Sequence, residues 1–262
     1  MKYNFKKLME IVQQLRHPKT GCPWDNAQTS KSLVPNFIEE LYESIEAIDN
    51  ENYEDLSEEL GDLLLHICLQ INIAAEKKQF SDDDVFKKII EKLVRRHPHI
   101  FADNNASDAN EVKKNWEMIK MEEKKQRKSI LDGIPKSMSS LIVAQRTQEK
   151  AAAIGFDWQD SQPVFGKLVE EKNELLQAIN SNNDDNIEEE IGDLLFTLVN
   201  LSRKLGFDAD TALRKSNEKF TNRFKKLEQY YKDHQIDLQK SSLEEMDKVW
   251  NIIKHYKNEV ES

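Results

Sequence analysis

Eight carboxylates in this chain fall into two matching constellations. Glu40 and Glu43 stand three residues apart, and nineteen residues after Glu40 a second pair, Glu59 and Asp62, repeats that interval. Glu171 and Glu174, then Glu190 and Asp193, reproduce both spacings in the second half of the chain. Four carboxylates brought to one place raise one another's proton affinity and stay ionised only with compensation. A divalent cation supplies it, and an all-oxygen donor set favours Mg²⁺, with Mn²⁺ as the alternative, over zinc. A single EExxE is ordinarily a solvated helix face. The complete set, repeated at fixed spacing, points instead to two candidate metal sites.

Helices must carry these groups. At roughly 100° per residue, Glu40 and Glu43 lie roughly 60° apart, and Leu41, Ile45 and Ile48 form a stripe roughly 80–140° from Glu40. The same arithmetic sets Glu59 and Asp62 beside Leu60, Leu64 and Ile67. It sets Glu171 and Glu174 beside Leu175, Leu176 and Ile179, and Glu190 and Asp193 beside Ile191, Leu195 and Leu198. Each acidic pair rides the shoulder of an apolar stripe. Two such helices packed antiparallel around one core bring the shoulders together. A glycine inside a helix costs about 1 kcal/mol, so Gly61 and Gly192 mark either close packing or space for a ligand.

Basic and aromatic residues suggest what the metal would meet. Lys219 and Arg223 stand four apart on one helix face, as do Trp250 and Lys254. A carboxylate-held Mg²⁺ keeps positions open for phosphate oxygens. Lys and Arg balance the remaining phosphate charge, and a tryptophan stacks on a base. The plainer alternatives are surface ion pairing for Lys219 and Arg223 and core packing for Trp250.

The whole chain agrees with a helical scaffold. Its 262 residues hold 33% charged and 38% hydrophobic side chains with only seven glycines and six prolines, which favours helix throughout. No useful stretch alternates with period two, so the expected fold class is all-α. Helices are expected over 5–16, 36–49, 55–75, 85–96, 111–127, 138–153, 162–179, 186–205, 209–231 and 242–257, with Ser81 and three aspartates starting the fourth. Trp24 and Asp25 close a Pro- and Gly-rich loop after the first helix, and Trp158 stands in a similar loop.

This order occurs twice: a Trp loop, EExxE, ExxD, a Lys/Arg helix, then a Trp with Ile and Lys downstream. Residues 1–127 and 138–262 are therefore read as two tandem helical-bundle repeats of four to five helices each, joined by a linker at 128–137.

Other classes fit poorly. The net charge of −10 argues against a nucleic-acid-binding surface. Cys22 and Cys68 match no metal spacing or disulfide framework. The N-terminus has no signal-like apolar core, and the most apolar run, 60–75, is interrupted by Asp62, His66, Gln70 and Asn72. The expectation is a cytoplasmic protein with no membrane partner. No GxxxxGK[ST] or GxGxxG loop occurs. His66 lies on the acidic face, but Thr197 stands at its counterpart; His97 and His99, in an RRHPH turn, read as structural.

With these residues in view, the chain resembles the MazG family of all-α nucleoside triphosphate pyrophosphohydrolases. The resemblance is carried by GCPWD (21–25), EELYE (39–43), EELGDLLL (58–65), RRHPHIF (95–101), GFDW (155–158), EEKNE (170–174), EEEIGDLLF (188–196) and NEKFTNRF (217–224). It covers almost the whole length in the order of tandem members. It implies Mg²⁺-dependent hydrolysis of (deoxy)nucleoside triphosphates between the α and β phosphates, a homodimer, and a competent second repeat.

On that basis Glu171, Glu174, Glu190 and Asp193 take the metal, and Lys167, Lys219, Arg223, Trp250 and Lys254 take phosphates or base. Glu170 and Glu189 are the candidate general bases. Asp185-Asn186-Ile187 depart from the pattern, standing where a lysine is expected. Three rivals stand beside this reading. One is a metal-storing carboxylate bundle, which the absence of Glu-x-x-His pairs disfavours. The others are a nucleotide-binding regulator without turnover and a hydrolase of alarmones or damaged nucleotides.

Overall fold

Asn52 and Asn183 stand at matching positions of the two repeats, and each starts a helix. The Asn52 side chain accepts from the Asp55 backbone N–H, and Asn183 from that of Asn186, satisfying a donor the first turn leaves unpaired. The computed structural model describes residues 3–102, 112, 116, 119, 123, 128–181 and 183–256. The expected helix at 111–127 falls largely outside them. Among the described residues the regular structure is helical, without a strand. The chain divides into two compact units, Met1–Ala106 and Ser107–Ser262.

The first unit holds α1 (Phe5–Leu15), α2 (Pro23–Ala27), α3 (Val34–Asp49), α4 (Tyr53–Glu76), α5 (Asp82–Arg96) and α6 (Pro98–Phe101). Its core joins α1 to the C-terminal half of α4: Met9, Val12, Cys68, Leu69, Ile71 and Ile73 bury together with Leu33. Each such side chain contributes roughly 1.5–3 kcal/mol on full burial. Ser81 and Asp84 form a reciprocal capping box at the start of α5. Two expectations are corrected here. The Trp24–Asp25 stretch is not a loop but the short helix α2, because Pro23 at its first position is pre-set for helical φ. Beyond His97, Pro98 opens one further helical turn, α6.

The second unit holds α7 (Ser140–Ala153), α8 (Gln162–Ser181), α9 (Asp184–Lys204), α10 (Ala209–Asp233), a 3₁₀ turn (Leu238–Lys240) and α11 (Leu243–Tyr256). α8 and α9 pair along their length, α7 packs on α9 and α10, and α10 pairs with α11. The α10–α11 core is Leu227, Tyr231 and Val249, with Trp250 against it. Residues 128–137 form turns rather than a helix. The Lys150 ammonium donates to the carbonyls of Ile130 and Asp132, tying them to α7.

The apolar stripes of the acidic helices differ from expectation. Leu41 and Leu60 are 47% and 48% exposed, and Leu176 and Leu195 are 47% and 50% exposed. The helices do pair, and the carboxylates meet, but the stripes beside them face outward rather than into a core within the chain.

Candidate metal centre

In each unit two antiparallel helices bring acids from different turns together. Oxygens of Glu40, Glu43 and Glu59 lie within 4.8 Å of one another across α3 and α4, and those of Glu171, Glu174 and Glu190 do so across α8 and α9. Asp62 and Asp193 fall outside those triplets but act on them electrostatically, Asp62 on Glu40 and Glu59 and Asp193 on Glu190. Crowding shows in the proton affinities. Desolvation, then the charges of Asp62, Glu43 and Glu59, push the Glu40 carboxyl up to about 7. Desolvation followed by neighbouring carboxylates also raises Glu59, Glu174 and Glu190. Such a cluster is unfavourable until a cation enters it.

The donor set fits a hard cation. All donors are oxygens, and a span below 4.8 Å is within reach of roughly twice a 2.0–2.1 Å Mg–O distance after small rotations. A Cβ added at Gly61 or Gly192 would meet nothing within 4 Å. Close packing within the chain therefore does not explain these glycines.

The two clusters are compensated differently. In the second, the Lys167 ammonium lies 2.6 Å from Glu171 and 2.8 Å from Glu170; hydrogen bonds to Glu170 and then Glu171 raise the Lys167 pKa. Glu171 is only 3% exposed, so this ion pair holds a buried charge. In the first cluster Asn36 stands at the matching position, and the neighbour is His66, Nε2 to Glu40 Oε1 3.8 Å. Burial lowers the His66 pKa, with Asp62 pulling the other way, so the imidazole there is neutral at neutral pH. Its Nδ1 has no hydrogen-bond partner among the described residues.

The remaining predicted residues lie further out. Lys219 and Lys254 are exposed and Arg223 is half-buried, on α10 and α11. None of them is among the charges acting on Glu174 or Glu190, where Lys167 is. Trp250 packs its ring 5.1 Å from that of Phe220. Glu170 is tied to Lys167, and Glu189 is exposed beside Glu190.

Sequence reasoning missed one device of the second unit. Asp157 in the Trp loop accepts from Arg203 at 2.6 and 3.0 Å and from Lys204 at 2.7 Å. Lys204 also bonds the Trp158 carbonyl. Burial raises the Asp157 pKa, but Arg203 and Lys204 outweigh it and leave the carboxyl lowered. The acidic residue in GFDW and the Arg-Lys ending α9 were the available signal.

The doubled helix pair with its acidic triplets matches a known domain. The MazG nucleotide pyrophosphohydrolase domain covers residues 28–101 and again 159–227, the segments that hold both clusters. The chain belongs to the MazG family. It is similar to the nucleoside triphosphate pyrophosphohydrolase of Escherichia coli K12, 42% identical over 95% of this chain and 96% of that protein. It is 44% identical, over 94% of each chain, to the nucleoside triphosphate pyrophosphohydrolase/pyrophosphatase MazG of Thermotoga maritima. The uncharacterized protein YabN of Bacillus subtilis is 42% identical over 95% of this chain, which spans 51% of YabN. MazG relatives thus match through both repeats. Among the described residues no helix is long and apolar enough to cross a membrane.

Proposed function

We propose that the protein hydrolyses (deoxy)nucleoside triphosphates at the α–β phosphoanhydride, giving monophosphate and pyrophosphate, with Mg²⁺ as cofactor and Mn²⁺ as a substitute. The observation that carries this is the second acidic triplet with Lys167 seated in it, in a chain whose full-length relatives are named for that activity. Glu171, Glu174 and Glu190, with Asp193 beside them, would hold the ion. When bound it neutralises phosphate charge and favours departure of pyrophosphate.

The chain's own residues do the rest. Lys167 leaves Glu171 to meet a phosphate oxygen. Glu189 is the better placed general base for the attacking water, because Glu170 is already engaged by Lys167 and an ion-paired carboxylate is a weak proton acceptor. Lys219, Arg223 and Lys254 extend the phosphate-binding surface, and Trp250 remains a candidate base contact at its edge.

The exposed stripes along α3, α4, α8 and α9 favour a homodimer that buries them. Substrates of this kind belong to the soluble nucleotide pool, which goes with a cytoplasmic location.

The test is incubation with Mg²⁺ and each common and deoxy triphosphate, followed by product identification. Monophosphate with pyrophosphate is expected; orthophosphate release overturns the bond assignment. Glu174→Ala is expected to abolish turnover and Glu43→Ala to spare it. The reverse result moves the active centre to the first repeat.

A further inference from the structure

The two acidic clusters differ at two positions that flank them. Four residues before the first acid, the second repeat has Lys167 and the first has Asn36. Four residues after the last acid, the second repeat has Thr197 and the first has His66. The lysine gives the second cluster an internal cation, 2.6 Å from Glu171. At the first cluster no lysine or arginine is among the charges acting on Glu40 or Glu59.

His66 is 5% exposed. Its ring packs 5.9 Å from that of Phe37 on α3 and turns Nε2 toward Glu40 Oε1 at 3.8 Å. That separation is too long for a hydrogen bond, and Nδ1 is buried without a partner among the described residues. A buried polar ring left open in this way costs stability until something pairs with it.

The separation suits a shared ion instead. Two donors each about 2.1 Å from one cation stand roughly 3–4 Å apart, and the Nε2–Oε1 distance of 3.8 Å lies in that range. Helix spacing directs the imidazole to the cluster: Glu59, Asp62 and His66 follow at intervals of three and four residues, which puts them on one face of α4. Thr197, 6% exposed at the matching place of the second unit, has no nitrogen to offer. An oxygen-only donor set suits Mg²⁺. An added imidazole raises affinity for first-row transition metals such as Fe²⁺, Co²⁺ or Zn²⁺ and does little for Mg²⁺.

We propose that the first cluster is a transition-metal site in which His66 Nε2 joins Glu40 and its neighbouring carboxylates. The two repeats then hold different ions, a first-row transition metal in the first and Mg²⁺ in the second. Asn36 in place of a lysine leaves the first ion without a competing ammonium. The inference concerns the first repeat and goes beyond the hydrolysis proposed for the second.

The experiment uses the full chain carrying Glu174→Gln and Glu190→Gln, which disables the second cluster and leaves the first. In one arm Co²⁺ and Mg²⁺ are titrated calorimetrically into this chain and into the same chain with His66→Thr or His66→Gln. Both substitutions are expected to weaken Co²⁺ at least about tenfold, since loss of even an outer-shell partner of a metal ligand does as much. Mg²⁺ affinity is expected to stay unchanged. Equal falls for the two ions mean a histidine that only packs, and overturn the proposal; so does an unchanged Co²⁺ affinity. In the other arm substoichiometric Mn²⁺ is added and nitrogen hyperfine coupling is read by pulsed electron paramagnetic resonance. Coupling to ¹⁴N is expected with His66 in place and is expected to vanish in His66→Gln. No coupling in the chain that keeps His66 overturns the proposal whether or not the variants fold, and coupling that survives His66→Gln does the same. None of these readouts depends on turnover, so failure of the hydrolysis reading and failure of this one are separate results.

Discussion

Lys167 Nζ lies 2.6 Å from Glu171 Oε1, so the lysine compensates a buried carboxylate of the second acidic cluster. The first cluster has Asn36 at that position and is left with Glu40 at about 7. One substitution in the repeat thus separates a cluster stabilised by an internal cation from one stabilised by protons.

Lys167→Met is expected to lower metal-free stability. Lysine is 35% exposed on its side chain, so solvent screening limits the loss to about 1 kcal/mol, or roughly 2–4 °C in Tm for a unit of this size. Mg²⁺ is expected to restore most of it, since the ion takes over the same buried charge. Thermal melts with and without Mg²⁺ check this. A loss that Mg²⁺ leaves untouched would contradict that exchange.

Metal binding at the first cluster is expected to be strongly pH-dependent. The folded Glu40 carboxyl titrates at about 7, above the ordinary value of 4.5, so its protonated form favours the fold. That contribution is complete below the unfolded value and is lost as pH rises through about 7. Binding a cation must displace this proton. In a chain carrying Glu174→Gln and Glu190→Gln, Mn²⁺ affinity measured by calorimetry is expected to fall up to about tenfold per pH unit below 7. A flat profile between pH 6 and 8 would refute it.

The Asp157–Arg203 clamp is expected to matter above acid pH only. Asp157→Asn should cost the second unit about 2 kcal/mol in denaturant unfolding at neutral pH, as for a charge-assisted pair removed from a partly buried position. The Asp157 pKa is lowered, so its contribution is present above the unfolded carboxylate range, about 3.9, and disappears as pH falls through the lower folded value. Parent and variant should converge in stability once pH has fallen well below the ordinary carboxylate range; a difference that persists there means a packing effect.

The outward apolar stripes give a test of assembly. Leu176→Lys with Leu195→Lys places charges on residues that are 47% and 50% exposed, so the isolated unit should tolerate them within about 0.5 kcal/mol. Sedimentation velocity is expected to show a dimer for the parent and a monomer for the double variant. Two monomers would remove the support for a dimer.

Much of this was legible in the residues. The 3.6-residue period, the Ser81 cap and the doubled ExxD set helix positions and repeat order, because amphipathic spacing and capping are local properties of the chain. The same periodicity put Glu40 with Glu43 and Glu190 with Asp193 on shared faces.

What period alone does not contain is which stripe is covered. Leu41 and Leu176 read as core from spacing, yet they face outward, because burial depends on what lies opposite. The meeting of His66 with Glu40 and the packing of α1 on α4 depend on contacts between different helices. Side-chain types determined which chemistry was available; tertiary packing decided which groups are compensated and which are left open.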